Sequence, residues 1–237
     1  EAHAMAATAA AAAVPAQARE FTEIAAACRH VAHGIPRSFR EAVQLFYLLF
    51  LVCGHDSPGP VDRLLYPALN RDLAAGVLTL AEAQAWVDAL WLKFSERTAY
   101  GATLAGQNRD GSDAANDMSH LCLEAIRRLR LLSPRTAVRW HPGLDADVMD
   151  HACKVIAEGL SLPALVNDEA IIAAAVERGM TLEDAREYTF VGCGQTFPHG
   201  RGHGSYEDVV LNSAKALEFA LHDGVDPMTG QQVGPRT

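Results

Sequence analysis

The sequence predicts a mixed α/β fold that is mostly helical. Helix start signals recur along the chain, at residues 38–41, 79–82, 145 and 181–184. Three short runs of strand-forming character, 136–141, 163–166 and 188–193, lie between helical stretches. Hydrophobic residues make up 49% of the 237, enough to fill a core. Strands fed and followed by helices imply helices outside and strands inside.

The elements follow in order. Residues 1–32 are Ala-rich and helical in character. Ser38-Phe-Arg-Glu41 reads as a capping box for an almost wholly apolar helix over 42–50, expected to be buried. Residues 54–60 hold two glycines and two prolines and read as a loop. A short helix or turn follows over 64–73. Thr79 and Glu82 form a second capping box, opening a helix with Trp86, Val87, Leu90, Trp91 and Phe94 on one face. That aromatic stripe reads as core rather than ligand contact. Residues 106–111 form a polar loop, and Asp113 is expected to cap a helix running toward Arg130. Arg127, Arg128 and Arg130 read as a solvated helix end. The alternating run 136–141 predicts a strand, Asp145 a helix stopped at Gly159, and 163–166 a second strand. Asn167-Asp168-Glu169 looks like a helix cap, and Gly179 closes that helix. A short helix from Thr181 feeds the 188–193 strand. A last helix is expected over 207–222.

Bulk properties narrow the function. The net charge is −9 and no Lys/Arg stripe occurs, which argues against nucleic acid and anionic membrane as partners. The longest apolar run, 45–53, is too short to span a bilayer. Five cysteines, at 28, 53, 122, 153 and 193, form no Cys-x-x-Cys pair and no disulfide framework, so a reducing cytoplasm is expected. The chain opens on Glu1 and ends in a Gly/Pro-containing turn, and both ends read as cuts from a longer polypeptide.

Tyr188-Thr-Phe-Val-Gly-Cys-Gly-Gln195 is the most informative stretch. Strand-forming residues lead to a cysteine bracketed by Gly192 and Gly194, which present one sulfur at a strand tip with bare backbone on both sides. The same local sequence also fits a buried, inert cysteine behaving as a small hydrophobe.

Several phrases recur in order: Pro36-Arg-Ser-Phe-Arg-Glu-Ala-Val-Gln44, Asp62-Arg-Leu-Leu-Tyr-Pro67, Gly106-Gln-Asn-Arg-Asp-Gly-Ser-Asp113, Pro163-Ala-Leu-Val-Asn-Asp-Glu169, Val191-Gly-Cys-Gly194 and Asn212-Ser-Ala-Lys-Ala-Leu-Glu-Phe-Ala-Leu-His-Asp-Gly224. The series resembles the glycyl radical enzymes (the pyruvate formate-lyase-like domain), on the branch holding glycerol dehydratase and choline trimethylamine-lyase. The resemblance implies that residues 1–237 are an internal part of that domain. The expected fold is part of a ten-stranded barrel, built from half-barrels ringed by helices. It implies that Cys193 becomes a thiyl radical and takes a hydrogen atom from a small organic substrate, in lyase or dehydratase chemistry. A single cysteine between glycines disfavours the acyl transfer that pyruvate formate-lyase performs with two adjacent cysteines. No cofactor is expected to bind this chain directly. The implied glycyl radical lies on a C-terminal segment and is installed by an activating enzyme that uses S-adenosylmethionine and an iron–sulfur cluster. That activating enzyme and a second copy of the full-length protein are the expected protein partners, with no metal, nucleic acid or membrane.

Departures from the family pattern carry information. Many relatives place a glutamate two residues after the cysteine; here Gln195 can hydrogen-bond but cannot take up a proton. Glu207, Asp208 or His203 could replace that base, or the reaction needs none there. The resemblance makes His55 and Asp56 pocket candidates, with Gln195 and Glu207 as further substrate contacts. Pro60 and Arg63 replace an arginine and a glutamine common in the family. The family's radical-bearing Arg-Val-x-Gly-aromatic phrase does not occur in these 237 residues, so the chain by itself is expected to be inactive. Other readings stay open: a truncated paralogue serving as a scaffold, a zinc site from Cys193, His199 and His203, or a phosphate loop over 200–204.

Overall fold

The computed structural model describes residues 2–53, 57–192, 194–201 and 211–234, which form two compact units, Glu1–Gly204 and Ser205–Thr237. In the first unit, α1 (Ala2–Ala13) and α2 (Ala18–Val31) are separated by a 3₁₀ turn at Pro15–Gln17, where proline cannot supply a helical amide. The start of α3 (Phe39–Cys53) departs from the expected capping box. The Glu41 N–H donates to Ser38 Oγ (3.2 Å), but the Glu41 carboxylate reaches back to the Arg37 N–H (2.8 Å) rather than to Ser38. The helix α4 (Val61–Ala74) starts three residues before the expected 64–73, and it runs through Pro67 at the loss of one backbone hydrogen bond. Both halves of the Thr79–Glu82 box are made at the head of α5 (Leu80–Glu96).

The main core gathers the inner faces of α3, α4 and α5, with Val87, Leu90, Trp91 and Phe94 fully enclosed. Trp86 is half-buried, with the Arg40 guanidinium 4.9 Å above its ring. The expectation that α3 would be buried all round is corrected. Phe46 and Phe50 pack edge-on against Phe94 at 6.2 and 5.1 Å. Leu49 and Val52, however, are 53% and 81% exposed, and Leu49 lines an open cavity together with Phe46 and Phe50.

Three strands form a parallel sheet in the order β1 (Gly101–Ala105), β2 (Arg135–Trp140), β3 (Ala164–Asn167). Gly101 lies opposite Arg135, and Ala137 opposite Ala164. The crossovers are α6 (Asp117–Leu129) and α7 (Ala146–Ala157), as parallel pairing requires. Asn116, not Asp113, caps α6, in a reciprocal pair with Ser119. Asp113 instead accepts from the Ala115 and Asp145 N–H groups, tying the two crossovers together. The Asp145 side chain caps α7 as expected. The end of α6 is solvated as expected, with Arg127 paired to Glu124 and Arg128 to Asp88.

Asp62, on α4, is completely buried beneath β1. It accepts hydrogen bonds from the Ala105 N–H (2.7 Å), the Ser119 hydroxyl (2.6 Å) and the Arg63 N–H (2.8 Å). The bond to Ala105 holds that residue at φ +58°, where a side chain is ordinarily disfavoured. Burial outweighs these three donors and raises the Asp62 carboxyl to about 6.

After β3 come α8 (Asp168–Glu177), capped by Asn167, and α9 (Leu182–Arg186), capped by Thr181. The chain then makes an antiparallel hairpin, β4 (Tyr188–Val191) and β5 (Gln195–Pro198), with Val191 opposite Gln195. Two of these five strands, β1 and β5, were not expected from the sequence.

Behind the hairpin lies a buried ion pair. Arg139, on β2, donates from Nε and Nη2 to the two oxygens of Asp168, both at 2.9 Å, and the two residues are 1% and 0% exposed. The Tyr188 hydroxyl donates to Asp168 Oδ1 (2.6 Å), and Arg139 donates to the carbonyls of Tyr188 (2.9 Å) and Arg186 (2.7 Å). Asp168 is thus more than a cap residue. Burial pushes the Tyr188 phenol well above its ordinary range.

In the second unit, α10 (Ser213–Leu221) is capped by Asn212, and Lys215 pairs with Glu218 and Asp226. The expected start of this helix at 207 lies outside the described residues.

Two predictions follow from these buried charges. Replacing Arg139 by Met leaves the Asp168 carboxylate buried without its partner and should lower unfolding free energy by about 3–5 kcal/mol in denaturant titrations. For Asp62, the native state keeps its proton to about pH 6, whereas the unfolded chain loses it near the ordinary carboxyl value. Its contribution to stability therefore falls as pH rises from about 4 to about 6, at up to about 1.4 kcal/mol per pH unit. The difference in unfolding free energy between the wild type and Asp62→Asn, measured at pH 4, 5 and 6, should carry that slope.

Candidate active site

The site is built on the edge of β1 and the hairpin beside it. Gly101 is required by contact: a Cβ there would lie 2.4 Å from the Phe190 carbonyl oxygen. The hairpin is fastened to β1 by side chains. The Phe190 N–H donates to Thr103 Oγ1 (3.0 Å), and the Thr103 and Thr189 hydroxyls are 2.8 Å apart.

The segment before α4 occupies the same edge. Gly59 forms a parallel bridge with Ala102, donating to the Gly101 carbonyl (3.1 Å) and accepting from the Thr103 N–H (2.8 Å). That pairing seats Ser57, whose Oγ accepts from the N–H of Gly101 (3.1 Å) and of Gly192 (2.9 Å). One hydroxyl thus joins β1, the residue next to segment 54–56 and the residue next to position 193.

Between α3, Ser57–Gly59 and the hairpin lies a cavity of about 530 Å³. Its walls are mainly apolar, with Phe46, Leu49 and Phe50 on one side and Val191 and Phe197 on the other. Cys53 and Ser57, which flank residues 54–56, both line it, and His199 closes the base of the hairpin. Burial, and then the nearby Arg63 cation, lowers the pKa of His199 and favours the neutral ring.

Among the residues expected at the site, Gln195 is exposed at the start of β5, on the hairpin face that carries Val191. Cys193, His55, Asp56 and Glu207 lie outside the described residues, as do Asp208 and His203. The described neighbours of position 193, Gly192 and Gly194, hold φ values of +56° and +136°, which glycine tolerates best. Among the described residues no group of three metal-ligating side chains occurs, and no helix is long and apolar enough to cross a membrane. The four described cysteines are free thiols, with Cys28 and Cys122 buried.

Ser57 and Arg139 were not singled out in the sequence. The signal for Arg139 was available: an arginine shares strand parity with Ala137, at an inward position where a buried partner is needed. Ser57 carried no comparable signal, because its role depends on the Gly59 bridge.

A family model described as pyruvate formate lyase-like matches residues 1–237. The chain is 30% identical over 246 residues to the (2S)-3-sulfopropanediol dehydratase of Klebsiella oxytoca, covering 94% of this chain and 30% of that protein. Against the trans-4-hydroxy-L-proline dehydratase of Clostridioides difficile it is 29% identical over 242 residues, covering 90% and 30%. Its fold matches the glycerol-bound B12-independent glycerol dehydratase of Clostridium butyricum with a TM-score of 0.79 at 32% identity, over 99% of this chain and 32% of that one. A glycyl radical enzyme from Archaeoglobus fulgidus matches equally well, with a TM-score of 0.79 at 29% identity, over 99% and 33%. The chain therefore spans about 30% of the length of these relatives, and its helices and strands form part of the barrel expected for them. With the whole chain matched by one family model and nearly all of it superposing on these enzymes, the protein belongs to the pyruvate formate lyase-like family of glycyl radical enzymes.

Proposed function

We propose that this chain supplies the hydrogen-abstracting part of a glycyl radical dehydratase or lyase, with Cys193 as the reacting residue. The observation that carries this reading is the Ser57 hydroxyl bonded to Gly192 N–H at the cavity wall. It ties the flank of position 193 to the flank of 54–56, the two segments from which thiol and substrate contacts are expected. Residues 1–237 are then one part of a single catalytic domain.

A glycyl radical carried outside these 237 residues, installed by an activating enzyme using S-adenosylmethionine and an iron–sulfur cluster, supplies the unpaired electron. The chain's own residues do the rest. Cys193 gives the hydrogen atom of its S–H bond to the glycyl carbon, then takes one from a substrate C–H bond, so that the thiol re-forms and the radical passes to the substrate carbon. The apolar walls keep water from that exchange. His55, Asp56, Gln195 and Glu207 hold the substrate's polar groups. Gln195 orients by hydrogen bonding and transfers no proton. The relatives are named for a sulfopropanediol, a hydroxyproline and isethionate, so a small polar organic molecule is the substrate class favoured for this chain. The full-length protein is read as a cytoplasmic homodimer that meets its activating enzyme transiently.

In the complete polypeptide, Cys193→Ala should abolish product formation while electron paramagnetic resonance still detects the glycyl radical. Retained turnover would rule out the role given to Cys193. Gln195→Glu introduces a group able to accept a proton, a contribution typically worth about a hundred- to ten-thousand-fold. An unchanged product profile and rate would mean that no proton moves at that position.

A further inference from the structure

A second cavity, of about 450 Å³, lies between α4, the 106–116 loop and the base of the hairpin. It is separated from position 193 by the four residues of each hairpin strand, about 13 Å at about 3.4 Å per residue. Leu64 and His199 line both cavities.

Its polar groups differ in the hydrogen-bonding capacity they have left. Asn116 is engaged at both ends of its amide: its Oδ1 accepts from the Met118 N–H and its Nδ2 donates to the Ala114 carbonyl, both at 2.9 Å. Asn108 uses its amide N–H groups on Ser112 Oγ and the Asp113 carbonyl, both at 3.0 Å. The Asp113 carboxylate accepts from two backbone amides and lies 3.2 Å from His141 Nε2. Glu187 is held by Arg109 at 2.7 Å.

Arg63 stands differently. Its two contacts both come from Nη2 and are long, 3.3 Å to Asn108 Oδ1 and 3.5 Å to Glu187 Oε1. Its side chain is 19% exposed, and burial followed by repulsion from Arg139 disfavours its charge. A guanidinium carries five N–H donors. Among the described residues, nothing bonds to Arg63 Nε or Nη1, to the Tyr66 hydroxyl or to the His199 ring. Every carboxylate facing the cavity already has a cationic or amide partner, whereas the groups with donors unspent are a desolvated cation and neutral side chains.

We propose that this cavity binds the oxyanion group of a small molecule, a carboxylate, sulfonate or phosphate, through Arg63 with Tyr66 and His199 alongside. The guanidinium fork matches two oxygens of such a group. The site does not depend on Cys193 or on radical chemistry.

The test is isothermal titration calorimetry of the protein with acetate, methanesulfonate and inorganic phosphate, at ionic strength held constant with chloride. The site predicts saturable binding of at least one probe, weakened at least tenfold in Arg63→Gln and several-fold in Tyr66→Phe. Lys93→Gln, on the far end of α5, should bind as the wild type does. The three responses differ by source, since acetate reports carboxylate, methanesulfonate sulfonate and phosphate phosphoryl ligands. Absence of saturable binding by all three probes overturns the proposal, as does unchanged affinity in an Arg63→Gln protein that melts like the wild type. If that variant does not fold, Arg63→Lys keeps the charge and loses the fork. Affinity unchanged in both Arg63→Lys and Tyr66→Phe overturns the proposal equally.

Discussion

The arrangement depends on a charge pair that the fold had to accommodate completely. Arg139 and Asp168 are removed from water, which is costly unless every donor and acceptor is met. Here the surroundings meet them. Asp168 takes the Tyr188 hydroxyl, the Gln107 N–H (3.2 Å) and two guanidinium nitrogens, and it begins α8, where the helix dipole favours a negative group. Arg139 lies 3.8 Å from the Tyr188 ring centroid and spends two further donors on two carbonyls. The pair therefore fixes β2, the start of α8, the 106–116 loop and the root of the hairpin relative to one another. It also dictates a residue that carries no charge. At Gly106 a Cβ would lie 2.5 Å from the guanidinium, and the backbone there sits at φ +83°.

From that anchored root the hairpin projects along β1 toward position 193. Its attachment grows lighter with distance from the pair: two threonine hydroxyls at mid-length, then one serine hydroxyl at the tip. The apolar face of α3 completes the enclosure. An all-apolar helix is therefore not always core; here half of it is a wall.

Much of this was legible in the residues. The helix caps at Thr79, Asp145 and Thr181 rest on local chemistry and appear where their side chains predict. The strand before Gly192 was likewise readable, because Tyr, Thr, Phe and Val favour extended backbone. What could not be read depended on distant contacts. In β1, Gly-Ala-Thr-Leu-Ala has little strand character, and smallness is selected there by Phe190, which is remote in sequence. Asp113 resembled a cap, but its carboxylate was claimed by Asp145 from the next crossover. For the candidate site, the ordered motifs pointed to the hairpin tip and to the segment after α3. The hydroxyl connecting them was invisible, because it follows from one bridge between Gly59 and Ala102.

The same bridge makes the sheet lopsided. Alternate amides of β1 face away from β2, and each is already spoken for: Gly101 by Ser57 Oγ, Thr103 by the Gly59 carbonyl and Ala105 by Asp62 Oδ2. That margin is sealed against strand addition, a protection that exposed sheet edges otherwise lack. The opposite margin, β3, is largely solvent-facing and has no backbone partner on its outer side among the described residues. Extension of this sheet by further polypeptide is therefore directional, and a new strand must be laid down alongside Ala164–Asn167.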